Sequence, residues 1–199
     1  WVASPLAGVE RQMLDRIGEE LARATSIVRY APGSPFSAHG HPGGEEFLVL
    51  DGVFSDERGD YPAGTYVRNP IGSRHAPFSR EGCTIFVKLM QFDPADRAEV
   101  VIDSRRAEWT PGVLPGQREL ALHAFAGEQV RLLRWAPGTA QAPQGYPGGA
   151  ELLVLEGSLQ DERGVYPAGS WLRCPAQFSH RPGSAEGCLL WCKTGHLAP

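Results

Sequence analysis

The chain holds 199 residues with a formal net charge of −4, and its 24 glycines and 17 prolines suit a fold of strands and turns. That length can bury two cores of ordinary size, and an acidic balance without a basic stripe excludes nucleic acid as a partner. No apolar run is long enough to cross a membrane and the start is not leader-like, so a cytoplasmic protein without a membrane partner is expected.

From the N-terminus, the first patterned stretch is ambiguous. Met13, Ile17 and Leu21 recur every four positions, the spacing of an amphipathic helix. A later stretch overrules that reading. Residues 119–134 read ELALHAFAGEQVRLLR, in which Leu120 and Leu122 alternate before Gly127. Both stretches follow the same lead, Trp1 with Gly8 and Trp109 with Gly116. Strand, turn, strand is therefore expected in each, the first copy three residues longer at its turn. Residues 26–30, 47–50, 65–68 and 84–92 are β-branched or aromatic runs bounded by turn residues and read as strands. Asp56-Glu57-Arg58-Gly59 reads as a polar hairpin tip, and the charged segment 93–106, with Pro94, reads as a linker with room for a short helix.

Between these runs stand two spaced motifs. Gly33, His39, His41, Glu45 and Gly52 read G-x5-H-x-H-x3-E-x6-G, and Gly64, Pro70, Gly72 and His75 read G-x5-P-x-G-x2-H. His39 and His41, two apart on a strand, point the same way. The Pro42-Gly43-Gly44 turn lets Glu45 swing back to them, and Pro70-Ile71-Gly72 turns the chain so that His75 joins. Three imidazoles and one carboxylate are donors for a borderline divalent ion. His39, His41, Glu45 and His75 are accordingly the candidate metal ligands, for one ion per chain.

The chain then says nearly everything twice. At an offset of 105, the segment from Ala31 to Lys88 matches that from Ala136 to Lys193 without a gap, and about half the residues are identical. PGGEEFLVLDG answers PGGAELLVLEG and DERGDYPAG answers DERGVYPAG. A period of this length is one small domain, so two tandem barrels are expected, residues 1–100 and 101–199, closed against exposed edges and packed through apolar faces. Across the offset His39 becomes Gln144, His41 becomes Tyr146 and Glu45 becomes Ala150, and only His75 keeps a counterpart, His180. The second barrel is expected to be metal-free, with His180 packed or hydrogen-bonded.

The four cysteines do not form a secreted disulfide framework. Cys188 and Cys192 share one strand face too far apart to bridge, and buried free thiols are expected, with a redox-sensing role as the alternative. No catalytic residue is assigned. Glu46 faces away from Glu45 and has a twin in Glu151 of the metal-free copy, and Arg68 pairs likewise with Arg173 in sequence, so these read as structural ion pairs.

The two motifs are signatures of the cupin superfamily, whose fold is an all-β jelly roll or double-stranded β-helix, and the duplication makes the chain resemble a bicupin. GVERQMLDRIG, the run from ATSIVRYAPG to PIGSRH, and EGCTIFVKL more specifically resemble the cupin domain of ChrR-type anti-sigma factors. That resemblance implies zinc on His39, His41, Glu45 and His75. Such factors grip their sigma factor with a separate N-terminal helical domain, and nothing like it is present in these residues, nor any CxxC. The resemblance therefore implies a regulatory or stress-sensing module, with a protein partner or a second copy open. The competing class is a cupin dioxygenase using iron, manganese or nickel on a small organic molecule in the first barrel, where Phe36, Phe47, Phe78 and Phe86 are candidates to line the cavity. Cupin enzymes commonly carry an asparagine four positions after the last histidine; here that position is Ser79.

Overall fold

The computed structural model describes residues 1–19, 22–35 and 37–197, so Leu21 and the candidate cavity residue Phe36 lie outside the described residues. Every regular element among them is a strand. The chain divides into two units, Trp1–Ala107 and Glu108–Pro199. In the first, the strands Val9–Ile17, Arg23–Tyr30, Cys83–Leu89 and Glu45–Asp56 lie side by side in that order, all antiparallel. The second repeats the arrangement with Gln117–Phe125, Glu128–Trp135, Cys188–Thr194 and Ala150–Asp161.

The ambiguous N-terminal stretch carries two strands, Val9–Ile17 and Arg23–Tyr30, paired antiparallel. Residues 18–22 separate Val9–Ile17 from Arg23–Tyr30, whereas Ala126 and Gly127 alone separate Gln117–Phe125 from Glu128–Trp135, so five residues against two gives the expected excess of three. The helical spacing of Met13 and Ile17 was misleading, because both are exposed on the strand. The last long strand of the first unit is shorter than expected. It ends at Leu89, because Met90 takes a positive φ of 61° that no strand sustains. The segment 93–106 forms no helix; it carries the strand Val100–Asp103, which pairs with Thr65–Asn69 and so belongs to the first unit beyond residue 100.

The longest strand, Glu45–Asp56, bends in the middle to serve both faces of its barrel. Its first half pairs with Cys83–Leu89 and Thr65–Asn69, its second half with Gly59–Pro62 and Phe78–Ser79. Gly52, with φ of 70°, sits at the bend opposite Cys83, two residues past Leu50, where the register shifts between Thr84 and Ile85. A side chain there would also meet the Gly82 carbonyl, so the last glycine of the first motif is a requirement of the bend.

The interior of the first unit is built from Val9, Val28, Tyr30, Phe47, Val49, Phe54, Tyr61, Val67, Ile85 and Val87. Phe47 and Phe54 stack with centroids 4.6 Å apart, and Tyr61 closes the same aromatic group. On the opposite face of the sheet Glu46 accepts from Tyr66 at 2.6 Å and pairs with Arg68, which also pairs with Asp96 and lies over the Phe92 ring. These charges are buried and mutually satisfied, so Glu46 and Arg68 are structural. In the second unit Arg173 lies 3.9 Å from Glu151.

Candidate metal centre

Two short strands, His39–Gly40 and Arg74–His75, pair antiparallel with His39 directly opposite His75. Cross-strand neighbours share a face, so this register brings two imidazoles together. His41 follows one residue past its strand, held where its N–H donates to the Ser73 carbonyl and its own carbonyl accepts from Gly72 N–H. The chain then turns through Gly44, at φ of 77°, and Glu45 opens the long strand. Ligand atoms of His39, His41, Glu45 and His75 all lie within 4.8 Å of one another. The three rings stand 4.7 to 5.1 Å apart between centroids.

The surrounding hydrogen bonds fit an ion at their centre. His75 presents Nδ1 to Asp56 Oδ2 at 3.3 Å, which fixes its tautomer and leaves the Nε2 lone pair facing the cluster. His39 Nδ1 donates to the Ser37 carbonyl at 3.0 Å. The Nε2 atoms of His41 and His75 are both buried and have no hydrogen-bond partner, a costly arrangement for a protein and the expected one for a metal ligand. Glu45 is oriented by Asn69, whose amide donates to Oε2 at 2.9 Å and whose carbonyl accepts from Arg58 at the same distance.

Charge follows the same logic. Burial, with the neighbouring His75 and His39, pushes His41 down to about 4, which keeps it in the neutral form that binds metals. Burial also lowers His75, and it raises Glu45 to about 7 even though the Asn69 bond opposes the shift. A cation beside this carboxylate would favour its ionised form and offset the cost of burying the charge.

Asp56 and Asn69, which the motifs do not contain, orient two of the four candidate ligands. Asp56 does double duty in the DERGxYP segment: Oδ1 accepts from Arg58 N–H at 2.8 Å and from the Tyr61 hydroxyl at 3.0 Å, while Oδ2 accepts from Arg58 Nη2 at 3.2 Å and faces His75. Glu57 accepts from Ala76 N–H at 2.9 Å and so ties down the His75 loop. Comparing the two copies could have found Asn69, because its counterpart is Cys174 in the barrel where Glu45 is replaced.

In the second barrel Asp161 still holds His180 Nδ1, at 2.9 Å. The other ring nitrogen now lies 3.0 Å from the Tyr146 hydroxyl. Tyr146 stands at the position of His41, and its phenol supplies the partner that an ion would supply in the first barrel. His180 is thus hydrogen-bonded on both sides.

A cavity of about 410 Å³ opens beside the first cluster, with His39, His41 and Glu45 in its wall and Val9, Val28, Tyr30, Ile85 and Val87 around them. The expected phenylalanine lining is corrected. Phe47 packs on Phe54 and Tyr61 in the aromatic part of the core, Phe86 sits on the opposite face of its strand from Ile85 and Val87, and Phe78 lies against Arg80. All four cysteines are free and buried. Burial pushes the thiols of Cys83, Cys174 and Cys192 up to about 11, which removes the reactive thiolate at neutral pH.

Among known proteins, the family model described as ChrR Cupin-like domain matches this chain twice, over residues 1–93 and 97–198. No curated protein matches. A proposed dioxygenase from Nostoc punctiforme superposes with a TM-score of 0.81 at 16% identity, over 98% of this chain and 76% of that one. Protein Ylba from E. coli gives 0.72 at 14%, over 97% and 85%. Oxalate decarboxylase from Bacillus subtilis, described with Mn(II) centres, gives 0.62 at 13%, over 88% and 69%. At such identities these structures share the fold, that of tandem cupin barrels. Among the described residues, no helix is long and apolar enough to cross a membrane.

Proposed function

Because the chain belongs to the ChrR cupin-like family, whose model covers both of its barrels, we propose that it is a metal-binding regulatory module. Its first barrel holds one ion, zinc, through His39, His41, Glu45 and His75. It signals when an oxidant attacks the ligands and releases that ion, or when a small molecule fills the cavity beside it.

The content of the cavity wall supports this most. Apart from the ligands, the described residues there are aliphatic side chains, prolines, glycines and Met90 with Ser4, Arg11 and Tyr30, and burial holds the Tyr30 phenol well above its usual range. None of these groups exchanges a proton near neutral pH, so acid–base work on a bound molecule has no protein partner. Three imidazoles and a carboxylate also complete a tetrahedral zinc and leave it closed. The buried, high-pKa thiols take no part, which puts any response to oxidants on the imidazoles and the ion. A protein partner or a second copy would read that change.

A second reading, a dioxygenase acting on a small organic substrate, is favoured by one observation: three of the four ligands face an apolar cavity. Iron, manganese or nickel would keep coordination positions open there and supply the oxygen chemistry. The chain's own part would be to hold the substrate by its apolar body, with Arg11 as the one cation among the described lining residues, and to exclude water.

Elemental analysis after purification without added metal, followed by an oxygen electrode trace on iron-loaded protein with diketone and phenolic substrates, separates the two. The regulatory reading expects zinc near one per chain and no substrate-dependent uptake. Steady uptake that disappears in His41→Ala would overturn it in favour of the dioxygenase.

A further inference from the structure

The second barrel has lost its metal site and kept its cavity. About 390 Å³ remains open, lined by Leu133, Leu152, Leu159 and Leu190 together with a set of polar side chains. A barrel that had merely decayed would close this space or line it with apolar residues, since polar groups inside a barrel cost free energy unless they find a partner. The opposite has happened. Where the first copy has Val9, Ala24 and Ser26, the second has Gln117, Gln129 and Arg131 on the cavity wall. Gln141 and Gln144 add two more amides to the wall, the first donating to the second.

Arg131 and Trp135 are the pivotal residues. They lie on one face of the Glu128–Trp135 strand, separated by Leu133, and both line the cavity. Arg131 uses Nη1 toward Glu119 at 3.5 Å and its guanidinium also bonds the Cys192 thiol, while its Nε is buried with no hydrogen-bond partner. Trp135 is 4% exposed and its Nε1 is likewise buried and unpartnered. Two buried donors on one wall call for oxygen acceptors, and Arg131 is the one charged side chain among the described lining residues. At the floor, Tyr146 is engaged with His180, so it does not compete for them.

We propose that the second barrel binds a small organic carboxylate, its oxygens received by Arg131 and Trp135 and its apolar body set against the leucines. A guanidinium with its Nε edge unused is suited to a carboxylate, and a cavity of this size suits a molecule of small-metabolite dimensions. The glutamines would read additional hydroxyl or carbonyl groups. This site is independent of the metal centre and of its proposed role.

The test uses the full chain with its metal, titrated with benzoate, phenylacetate, succinate and 2-oxoglutarate and with the corresponding neutral amides, followed by calorimetry and by the tryptophan indole N–H resonances. At least one carboxylate should bind, its amide should bind about tenfold more weakly, and the indole signal missing in Trp135→Phe should be the one that shifts. Arg131→Gln should weaken binding by about tenfold or more, and His41→Ala should leave it unchanged. Should Arg131→Gln fail to fold, Trp135→Phe and the indole shift still decide. Absence of binding by every acid at millimolar concentration would overturn the proposal, as would equal affinity for acid and amide or loss of binding in His41→Ala.

Discussion

Glu45 is the residue on which the metal site's pH behaviour turns. Its folded pKa without metal is raised to about 7 by burial, so the neutral form's contribution to stability is full below the ordinary value near 4.5 and is lost as pH rises through 7. His41 runs the other way. Lowered to about 4, its contribution is full above 6.5 and is lost as pH falls toward 4. An ion bound between them requires the carboxylate ionised and the imidazole neutral, so Glu45 should contribute about one proton to the release on binding at pH 6 and almost none at pH 8 or above. Calorimetry in buffers of different ionisation enthalpy measures this directly; zero release at pH 6 would mean that Glu45 is not a ligand. Asp56, which orients His75, should matter nearly as much as a ligand. Asp56→Asn is expected to weaken metal binding by about 10- to 100-fold, read by competition with a chromogenic chelator, while leaving the barrel folded.

At the scale of elements, the bent strand Glu45–Asp56 links core to site, because it carries Glu45 at one end and Asp56 at the other. Gly52 makes the bend, so Gly52→Ala should lower both melting temperature and metal affinity. Gly72→Ala, also at positive φ but with open space around it, should cost only the backbone strain of about 1 kcal/mol. Thermal melts of the two variants with and without metal compare them; equal losses would remove the bend from the argument. The ligands on either side of this strand were legible in the sequence because their spacing is fixed by turns and strand pairing. Asp56 was hidden, since its partner His75 is 19 residues away and the surrounding DERG reads as an ordinary turn. The cavity lining was misread for a related reason: alternation tells which residues face inward, but not that Phe47 would be spent on Phe54 and Tyr61 while aliphatic residues border the site. Likewise the strand Val100–Asp103 gains its place by pairing with a strand more than thirty residues earlier, which no local pattern in a charged, proline-bearing segment announces.

For the whole molecule the two copies make an internal control. Both barrels keep an aspartate on the last histidine, but in the first the facing nitrogen is unpartnered and in the second Tyr146 satisfies it. The chain should therefore hold one tightly bound ion. His75→Ala should abolish that binding, while His180→Ala should leave metal content at one and destabilise only the second barrel, by breaking the Tyr146 to Asp161 chain. Because binding to the folded state alone stabilises it by RT ln(1 + [L]/Kd), an ion at a thousandfold its Kd adds about 4 kcal/mol to the first barrel. Chelation should withdraw that amount from one barrel and not the other. The loss should be larger at pH 8 than at pH 5, where the neutral form of Glu45 relieves the empty site. Differential scanning calorimetry across that pH range, with metal content measured on the same samples, is the check. A second equivalent of tightly bound metal, or a chelator that shifts nothing after the ion is demonstrably gone, would show that the two barrels do not divide the work in this way.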